Sequence, residues 1–467
     1  MHPMSLSAIA GIVGGKLTDV LDPGALVTAP AVFDSREARP GSLFIALAGQ
    51  RADGHAYAEA AVNKGAVAAL TVRPVGAPAI VVDDVLAAFG RLGRYLVHDA
   101  LNDAKIVAIT GSAGKTSTKD FVAQVLPTAG SVVATPQSFN NEIGLPLTIT
   151  MADASTRFLV LEMGARGIGH IRSLTAIAPP DISIVTNVGT AHVGEFGGRE
   201  NIAQAKGEIV EALPAGGLAV LNADDPLVCA MADRTQGRIV TYGFDEQATV
   251  RASDVEINGL GQPGYTLCTP EGTARVRLQL VGEVQIHNSL AAAAVGREAG
   301  LRVDQIAELL SAATGQSRWR METHTRPDGV TIVNDAYNAN PHSMRSSLDA
   351  LATMARGRDQ RAIAVLGQMN ELGDDARTAH EEIGRHAAAL ELDQLIVVGG
   401  DEAGWIQKAA SDVGAQAVHL PDQQTALQLL HSTLRPGDVV LVKASRGVGL
   451  EQLADALLQP DPTPTDA

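Results

Sequence analysis

A glycine-rich turn between an apolar run and a candidate helix constrains the fold of this chain more than any other segment. Residues 105–120 read KIVAITGSAGKTSTKD. The apolar residues 106–109 predict a short buried strand, the glycines predict a tight turn, and Lys115 and Thr116 are expected to open a helix. This order of strand, turn and helix is the setting in which a glycine-rich loop binds phosphate groups.

The residue types in this turn fit a nucleotide bound with Mg²⁺. Glycines let backbone N–H groups surround phosphate oxygens, the helix N-terminus and Lys115 add positive charge, and the Thr116 hydroxyl can reach the metal ion. The sequence departs from the standard pattern GxxxxGK[ST] at Ile109, which stands in place of the first glycine, and a plain glycine turn is the alternative interpretation. The predicted phosphate-binding residues are Thr110, Gly111, Ser112, Ala113, Gly114, Lys115, Thr116 and Ser117.

Length, charge and cysteine content restrict the class of protein to which this chain can belong. A chain of 467 residues is too long for one hydrophobic core and predicts two or three domains. A formal charge of -16 argues against a nucleic-acid surface, which needs clustered lysine and arginine. The two cysteines, Cys229 and Cys268, fit a reducing cytoplasm. No apolar run approaches the ~20 residues of a membrane span, so we expect a cytoplasmic protein without one.

The order of predicted elements favours an α/β fold of three domains. Residues 1–100 read as a small α/β N-terminal domain, and residues 101–317 as a mostly parallel sheet around the phosphate loop, with a small antiparallel insert at 250–280. Residues 318–459 repeat the α/β rhythm with four parallel strands. No GxGxxG follows the first of these strands, so this Rossmann-like C-terminal domain is not expected to bind a dinucleotide. The Pro-rich tail, residues 460–467, is predicted to be disordered.

Five polar residues outside the phosphate loop are candidate ligand contacts. Glu162 ends the apolar run FLVLE, and a carboxylate at the carboxyl end of a strand can hold Mg²⁺, with a helix cap or an ion pair as the alternative. His192 follows the next predicted strand and is equally consistent with a solvated loop histidine. Lys206 lies midway along a predicted helix, where an ordinary surface lysine is the alternative. Ser35 and Arg36 follow a strand and have the chemistry to bind a diphosphate or uracil, or to be plain surface residues.

Six motifs, in order along the chain, resemble the central domain of the Mur ligases. They are TGSAGKT, SFNNEIGLP, LEMGARGIGHI, TNVGTAHVGEFG, AKGEI and LNADDP, within residues 110–226. Residues 35–55 resemble the family's N-terminal uridine-nucleotide domain. NDAYNANPHSM at 334–344 and LGQMNELG at 366–373 resemble the member that adds D-alanyl-D-alanine to UDP-N-acetylmuramoyl-tripeptide. The resemblance runs from about residue 33 to residue 457 and so covers nearly the whole chain.

This resemblance implies an ATP-dependent ligase of peptidoglycan precursor synthesis whose partners are UDP-N-acetylmuramoyl-tripeptide and D-alanyl-D-alanine. The neighbouring ligase, which adds the third residue, shares the first two domains but typically carries Asp-Tyr-Ala-His-Thr-Pro where this chain has DAYNANP. Two further interpretations are a folylpolyglutamate-type relative and a catalytically inactive ATP-binding protein. The sequence leaves the third residue of the tripeptide open between diaminopimelate and lysine, and a monomer is expected.

The resemblance also implies a reaction in two steps that uses ATP and Mg²⁺. The tripeptide carboxylate attacks the γ-phosphate to give an acyl phosphate and ADP, and the amine of the dipeptide then displaces phosphate. The matching positions place Lys115 at the β- and γ-phosphates, Thr116 and Glu162 at one Mg²⁺, and His192 at a second. The family's lysine in AKGEI, here Lys206, is carbamylated by CO₂ and serves a metal ion as an anion.

The remaining ligand contacts are carried over from the family in the same way. Asn288 is expected near the adenine, while Arg320 and Asp335 reach ATP from the C-terminal domain, the Asp at the ribose. The family often has HNxxN near the adenine, but here Ala291 stands at the second Asn position. The predicted substrate residues are Ser35 and Arg36 for the uridine diphosphate, Asn140 and Asn141 near the peptide, and Asn338, Asn340 and Ser343 for the dipeptide. A turn or a helix cap is the alternative for each of the last three.

Overall fold

The computed structural model describes residues 1–49, 52–189, 196 and 198–459. Strands in this part of the chain form a two-stranded ribbon and sheets of four, nine and six strands. His192 and the Pro-rich tail lie outside the described residues, so the roles predicted for them stay predictions, as do the boundaries between the domains. No helix of the described residues is long and apolar enough to cross a membrane.

The N-terminal α/β unit is built on the four-stranded sheet. Its strands are β1 (Met4–Ser5), β2 (Lys16–Thr18), β3 (Leu26–Val27), β4 (Leu43–Ile45), β5 (Ala68–Thr71) and β6 (Ala79–Val81), and its helices are α1 (Leu6–Val13), α2 (Ala58–Asn63) and α3 (Val85–Tyr95). The sheet order is β2-β6-β5-β4, and only β2 runs antiparallel to its neighbour. Helix α3 begins where the Asp84 carboxylate accepts a hydrogen bond from the Ala87 N–H (3.0 Å).

The nine-stranded central sheet carries the phosphate loop. Its strands are β7 (Lys105–Thr110), β8 (Val132–Ala134), β9 (Phe158–Glu162), β10 (Ile182–Val185), β11 (Leu218–Asn222), β12 (Arg238–Gly243), β13 (Val250–Ile257), β14 (Pro263–Thr269) and β15 (Gly272–Arg277). Its helices are α4 (Lys115–Val125), α5 (Gly144–Met151), α6 (His170–Ile177), α7 (Arg199–Glu211), α8 (Pro226–Cys229), α9 (Val284–Glu298) and α10 (Val303–Ala312).

The strand order of this sheet is β15-β14-β13-β12-β11-β10-β7-β9-β8, parallel from β8 to β13. The expected antiparallel segment is present, but it continues the edge of the sheet, because Tyr242 of β12 pairs in parallel with Val250 of β13. At the centre, Ile109 pairs with both Ile184 and Glu162. The carboxyl ends of β7, β9 and β10 therefore lie side by side, which is where open α/β sheets bind ligands.

Small residues let helix α9 pack closely on helix α4. The run from Ala291 to Ala294 is buried, and a Cβ added at Gly296 would come within 2.8 Å of a Val125 methyl group. This alanine- and glycine-rich face brings the first turns of α9 beside the phosphate loop. The side chains there, among them Asn288, are thus positioned by helix packing rather than by a loop.

The six-stranded C-terminal sheet contains the four expected parallel strands and two further strands. Its strands are β16 (Glu322–Thr325), β17 (Thr331–Asn334), β18 (Ala362–Leu366), β19 (Gln394–Val398), β20 (Ala417–Leu420) and β21 (Val439–Lys443), and its helices are α11 (Pro341–Arg356), α12 (Ala376–Ala389), α13 (Asp401–Asp412), α14 (Gln423–Thr433) and α15 (Glu451–Leu457). The order is β16-β17-β21-β18-β19-β20, with β16 antiparallel at the edge. Strand β16 reads ETHT and is largely exposed, so it lacks the apolar pattern that reveals a strand in sequence.

Candidate active site

The phosphate loop joins β7 to α4 and is shaped by two glycines. Gly111 has a φ of 152°, and an added Cβ would collide with the Thr186 hydroxyl; Gly114 has a φ of 81° and directly precedes α4. The Lys115 ammonium donates a hydrogen bond to the Gly111 carbonyl (2.8 Å). Burial lowers the pKa of Lys115, the Glu162 carboxylate opposes this, and the Arg320 charge adds to it. The loop therefore holds one buried lysine, with Glu162 and Arg320 as the charged groups that act on it.

Thr186 and Asn187, which follow strand β10, form hydrogen bonds with this loop, and the sequence did not reveal these contacts. The Thr186 hydroxyl donates to the Ala113 carbonyl (2.6 Å), and the Asn187 side-chain oxygen accepts a hydrogen bond from the Ala113 N–H (2.9 Å). The Ser112 N–H also donates to the Asn187 carbonyl (3.0 Å). These residues belong to the motif TNVGTAHVGEFG, but sequence reasoning used only its histidine, because the pairing of β10 with β7 was not known.

Beside the loop, the side chains of Thr116 and Glu162, which the sequence predicted to share one Mg²⁺, are in contact. The Thr116 hydroxyl donates to one Glu162 oxygen (2.8 Å), and the Asn140 amide donates to the other (2.7 Å). Glu162 is 1% exposed. A carboxylate and a hydroxyl oxygen suit Mg²⁺, which usually takes one or two protein oxygens and completes its shell with phosphate and water. The donor chemistry of this pair thus fits Mg²⁺, although no group of three or more His, Cys, Asp or Glu that could hold a metal occurs among the described residues.

Lys206 is a buried lysine in helix α7. It is 5% exposed, and within the described part of the chain no hydrogen bond or ion pair to its ammonium is found. Burial, with a further contribution from the positive charge of Lys115, lowers the pKa of Lys206 well below its ordinary value. The surface-lysine alternative does not describe this residue. Two residues on, the Glu208 carboxylate accepts hydrogen bonds from the Gly169 and Arg172 N–H groups (2.6 and 2.9 Å) and so caps helix α6.

Arg320 reaches the phosphate loop from beyond the central sheet. Its guanidinium donates to the hydroxyls of Thr116 (3.3 Å) and Ser138 (3.4 Å), and its other contact is the ring of Tyr337, whose centre lies 4.3 Å from the guanidinium carbon. The Arg320 Nε is buried and has no hydrogen-bond partner among the described residues. One side chain thus connects the segment leading into the C-terminal sheet with the predicted metal and phosphate site.

Asp335 lies at the end of β17 with its carboxylate already paired. It forms an ion pair with the buried Lys443 ammonium (2.6 Å) and accepts hydrogen bonds from the Ser347 hydroxyl (2.7 Å) and the Met321 N–H (3.1 Å). Burial lowers the pKa of Lys443, and the Asp335 charge opposes this change. The Asp335 carboxylate, which is predicted to contact the ribose, therefore already accepts hydrogen bonds from three groups of the protein.

The predicted dipeptide residues follow Asp335, and two of them form a helix cap. Asn340 accepts a hydrogen bond from the Ser343 N–H (2.9 Å), and the Ser343 hydroxyl accepts one from the Asn340 N–H (3.1 Å), which is a capping box at the start of α11. Asn338 is exposed and its side-chain oxygen accepts from the Ala339 N–H (2.9 Å). The capping alternative thus describes Asn340 and Ser343, and leaves the exposed Asn338 with its amide N–H groups available.

The predicted residues for the uridine nucleotide and the peptide lie in neighbouring segments. Arg36 pairs with Asp34 (2.6 Å) at the surface, and Ser35 lies between them. The ring of Phe33 contacts that of Phe139 (6.1 Å between centres), so this turn lies next to the segment that holds Asn140. By contrast, the Asn141 side chain accepts from the Gly144 N–H (2.9 Å) at the start of α5.

At the predicted adenine site, Asn288 lies against the phosphate loop and is paired with a glutamine. A Cβ added at Gly114 would touch the Asn288 side-chain oxygen, and the Asn288 amide donates to Gln285 (2.9 Å). Two buried amide side chains thus occur three residues apart, the spacing of the two Asn in HNxxN, with Gln285 as the first. Sequence reasoning looked for the second amide at Ala291, one turn later. His287 instead contacts Asp224 (2.8 Å).

Helix α4 also anchors the chain that leads into the C-terminal sheet. The Asp120 carboxylate accepts from the Ser317 N–H (3.1 Å), the Lys119 ammonium donates to the Ser317 hydroxyl (3.3 Å), and Gln124 donates to the Thr314 carbonyl (2.9 Å). Lys119 and Asp120 are buried and paired (2.7 Å). The helix that begins at the phosphate loop therefore also holds the start of this linker.

Comparison with protein-family models matches three successive segments of the chain. Residues 32–89 match the Mur ligase family, catalytic domain; residues 109–296 match the Mur ligase middle domain; and residues 319–446 match the Mur ligase, glutamate ligase domain. The middle segment contains the phosphate loop, Glu162, Lys206 and Asn288. The last segment begins at Trp319, directly before Arg320.

Curated relatives match over the whole chain. The UDP-N-acetylmuramoyl-tripeptide--D-alanyl-D-alanine ligase of Mycobacterium tuberculosis is 47% identical, over 99% of this chain and 99% of that protein. This chain belongs to the Mur ligase family. The ligase of the same name from Escherichia coli is 33% identical to this Mur ligase, over 98% of the chain and 99% of the relative.

Solved structures of Mur ligases have the same fold. A crystal structure of MurF from Acinetobacter baumannii superposes with a TM-score of 0.86 at 29% identity and covers 98% of this chain and 99% of its own. MurF ligase from Thermotoga maritima in complex with ADP superposes with a TM-score of 0.78 at 31% identity, over 92% of this chain and 97% of its own. The three-domain α/β architecture predicted from the sequence is confirmed, and as a Mur ligase the chain is an ATP-dependent peptide ligase.

Proposed function

We propose that this Mur ligase joins D-alanyl-D-alanine to UDP-N-acetylmuramoyl-tripeptide, with conversion of ATP to ADP and phosphate, in the synthesis of peptidoglycan precursors. The names of the relatives that match nearly end to end support this substrate pair. The observation that carries the catalytic part is the contact of Arg320 with Thr116 (3.3 Å). It brings a cation from the C-terminal side to the residues proposed to bind the nucleotide, so both parts of the chain contribute to one site.

Phosphate binding is assigned to the glycine loop, Lys115 and Arg320. The N–H groups of the glycine loop and the Lys115 ammonium bind the β- and γ-phosphates, and Arg320 offers its unpartnered Nε to a phosphate oxygen. Thr116 and Glu162 would hold Mg²⁺, which neutralises phosphate charge when bound. His192 is proposed for a second Mg²⁺. Asn288 with Gln285 would lie at the adenine, and Asp335 at the ribose.

The reaction then needs two displacements. A carboxylate oxygen of the tripeptide attacks the γ-phosphorus, the bond to the β-phosphate oxygen breaks, and ADP leaves. The dipeptide amine attacks the acyl carbon, phosphate leaves with the bonding electrons, and the amine nitrogen gives up a proton. Lys115 and Arg320 would offset the negative charge of the approaching carboxylate and the transferring phosphoryl group, a role supported by their positions beside Glu162 and Thr116.

Lys206 is proposed to be carbamylated. A lysine with a strongly lowered pKa exposes the neutral amine that adds to CO₂, and the addition releases a proton. The product is an anion, so the modification places a negative charge where the neutral amine lay, near the positive charge of Lys115. That anion would help hold a metal ion as an oxygen ligand.

The substrate contacts complete the proposal. Ser35 and Arg36 would bind the uridine diphosphate, Asn140 and Asn141 lie near the peptide, and the exposed Asn338 is a contact for the dipeptide, with Asn340 and Ser343 holding the helix behind it. We also propose that the chain works in the cytoplasm as a monomer.

The test is phosphate release from ATP in the presence of UDP-N-acetylmuramoyl-tripeptide, with and without D-alanyl-D-alanine. Release that requires both substrates, together with a new UDP-linked pentapeptide seen by mass spectrometry, is the expected result. Turnover only with the UDP-linked dipeptide and a free amino acid would assign the chain to the ligase that adds the third residue. ATP binding without turnover on either pair would mean an inactive ATP-binding protein.

A further inference from the structure

Three guanidinium groups and two aromatic rings form a stack between the linker and the carboxyl edge of the C-terminal sheet. We name these residues the guanidinium stack: Arg318, Trp319, Arg446, Tyr337 and Arg320. The rings of Trp319 and Tyr337 lie 6.5 Å apart between centres, at 27°. The guanidinium carbon of Arg446 is 4.1 Å from the Trp319 ring centre and 5.5 Å from that of Tyr337. Arg446 is therefore in contact with two aromatic faces, which fix the plane of its guanidinium.

Arg446 differs from the other two arginines of the stack in having its hydrogen-bonding edge unused. Arg318 pairs with Asp455 (3.7 Å), and Arg320 donates to Thr116 and Ser138. Arg446 is exposed, and among the described residues its guanidinium makes neither an ion pair nor a hydrogen bond. A guanidinium held by its faces with a free edge is arranged for bidentate binding of a carboxylate or a phosphate.

Two further donors in the stack also lack acceptors. Trp319 Nε1 and Arg320 Nε are both buried and without a hydrogen-bond partner in the described part of the chain. Buried donors are nearly always paired, so each has a hydrogen bond left to give to water or to a ligand. The Arg320 Nε is assigned above to a phosphate oxygen, which leaves the Trp319 Nε1, next to Arg446, as a second donor for an acceptor oxygen.

The position of Arg446 favours the dipeptide over the nucleotide. Strand β21 ends at Lys443, whose ammonium donates to the Asn338 carbonyl (2.9 Å), so Arg446 and Asn338 lie at the same edge of the C-terminal sheet. The guanidinium carbons of Arg320 and Arg446 lie 4.3 Å and 5.5 Å from the centre of the Tyr337 ring. Both arginines therefore contact one ring, which links Arg446 to the proposed site of acyl transfer. The exposed Asn338, itself proposed to contact the dipeptide, therefore lies at the same sheet edge as the guanidinium of Arg446, which is unpaired among the described residues.

We propose that Arg446, held by Trp319 and Tyr337, binds the carboxylate of the incoming dipeptide and so selects a substrate with a free C-terminus. This assignment rests on the proposed ligase function. The tripeptide also has free carboxylates, so the same chemistry has a second source, and the experiment separates the two.

The test is steady-state phosphate release by the full chain with D-alanyl-D-alanine and with D-alanyl-D-alaninamide, which keeps the amine and lacks the carboxylate charge. Arg446→Met is expected to raise KM for D-alanyl-D-alanine by about 10- to 100-fold, the value of a charge-assisted pair, and to leave KM for ATP and the UDP-tripeptide within about 2-fold. With the amide, wild type and Arg446→Met are expected to have the same raised KM. Arg446→Lys keeps the charge without the planar fork and should recover only part of the loss.

Arg385→Met is the matched control, since Arg385 is an exposed arginine of helix α12 that pairs with Glu381 (3.6 Å) outside the stack, and it should leave every KM unchanged. Equal losses in Arg446→Met with the dipeptide and its amide would overturn the proposal. A rise in KM for the UDP-tripeptide instead would assign Arg446 to that substrate and also overturn it. If wild type does not turn over with D-alanyl-D-alanine, the proposed function itself fails; if wild type turns over and Arg446→Met is unchanged, only this inference fails.

Discussion

Two buried lysines, one at the central sheet and one at the C-terminal sheet, are held in opposite ways. Lys443 forms an ion pair with Asp335 (2.6 Å) and donates to the Asn338 carbonyl (2.9 Å). Lys206 is similarly buried but has no such partner among the described residues. The charge that acts on its pKa is that of another cation, Lys115, which lowers it. A paired buried charge is an internal part of the structure, whereas an unpaired one is costly unless its chemistry is used.

The carboxyl edges of the central and C-terminal sheets also differ in how far their charged and polar side chains are paired within the protein. At the central edge, Lys115 and Arg320 bring positive charge together with Glu162 as the neighbouring carboxylate. The Lys206 amine, unpaired in the described part of the chain, lies near Lys115. At the C-terminal edge, Asp335, Lys443, Asn340 and Ser343 satisfy one another. The central edge is therefore incomplete without an anionic ligand, and the C-terminal edge is largely complete, with Arg446 as its free cation among the described residues.

The largest effect is expected from Lys443→Met on stability. The substitution leaves Asp335 buried without its counter-charge, so the free energy of unfolding should fall by about 3–5 kcal/mol. Urea denaturation measures the change. The double variant Lys443→Met with Asp335→Asn removes both charges and should recover most of the loss; a loss below about 1 kcal/mol in the single variant would contradict a structural role for the pair.

Lys206→Met should do the reverse, lowering activity without lowering stability. Phosphate release is expected to fall by about 10²–10³-fold, the usual cost of removing one electrostatic contributor to a transition state. The free energy of unfolding should stay the same or rise, because an unpaired buried amine is removed. Short-chain carboxylates such as formate should restore part of the activity in Lys206→Ala. Full activity in either variant would exclude the proposed carbamate role.

The pH dependence of stability should separate the two lysines further, in metal-free and CO₂-free buffer. The pKa of Lys206 is lowered well below the 10.5 of an unfolded chain, so below the lowered pKa the folded state carries the full cost of a buried charge, and this cost disappears as pH rises towards 10.5. The gain in stability of Lys206→Met over wild type should thus be largest at low pH and shrink by up to about 1.4 kcal/mol per pH unit within that window. A gain that does not depend on pH would show that Lys206 titrates normally.

The smallest effect is expected from Asn340→Ala. Loss of the capping box should cost about 1 kcal/mol of stability, measured by thermal or urea unfolding, and Asn340→Ser should keep most of it. KM for the dipeptide should change little, because the cap already occupies the side chain. A large rise in KM with unchanged stability would show instead that Asn340 contacts the substrate.

The sequence predicted the parts of the site that are local. The phosphate loop is contiguous, and Glu162 stands at the end of an apolar run, so both followed from pattern and from the rule that ligands gather at strand ends. The resemblance to a family supplied Arg320, Asp335 and Lys206, which no local pattern marks. The role predicted for His192 remains a prediction, since it lies outside the described residues.

The parts that sequence reasoning missed depend on contacts between distant segments. Asn187 braces Ala113 from 74 residues away, and Ser317 meets Asp120 from 197 residues away. Gln285 was overlooked because the amide pair was sought one helical turn later. The stacking of Arg446 on Trp319 joins two segments at opposite ends of the C-terminal sheet's sequence, and no periodicity reports such an encounter.

The hydrogen bonds between helix α4 and the linker fix the point from which the C-terminal domain is oriented relative to the central domain. Ser317 is fixed to the helix that starts at Lys115, and Arg320 follows three residues later. The lever arm from this pivot to the guanidinium's backbone is thus no more than about 10 Å. Because this arm is short, a given rotation of the C-terminal domain about Ser317 would displace the backbone of Arg320 far less than it would displace surfaces farther from Ser317.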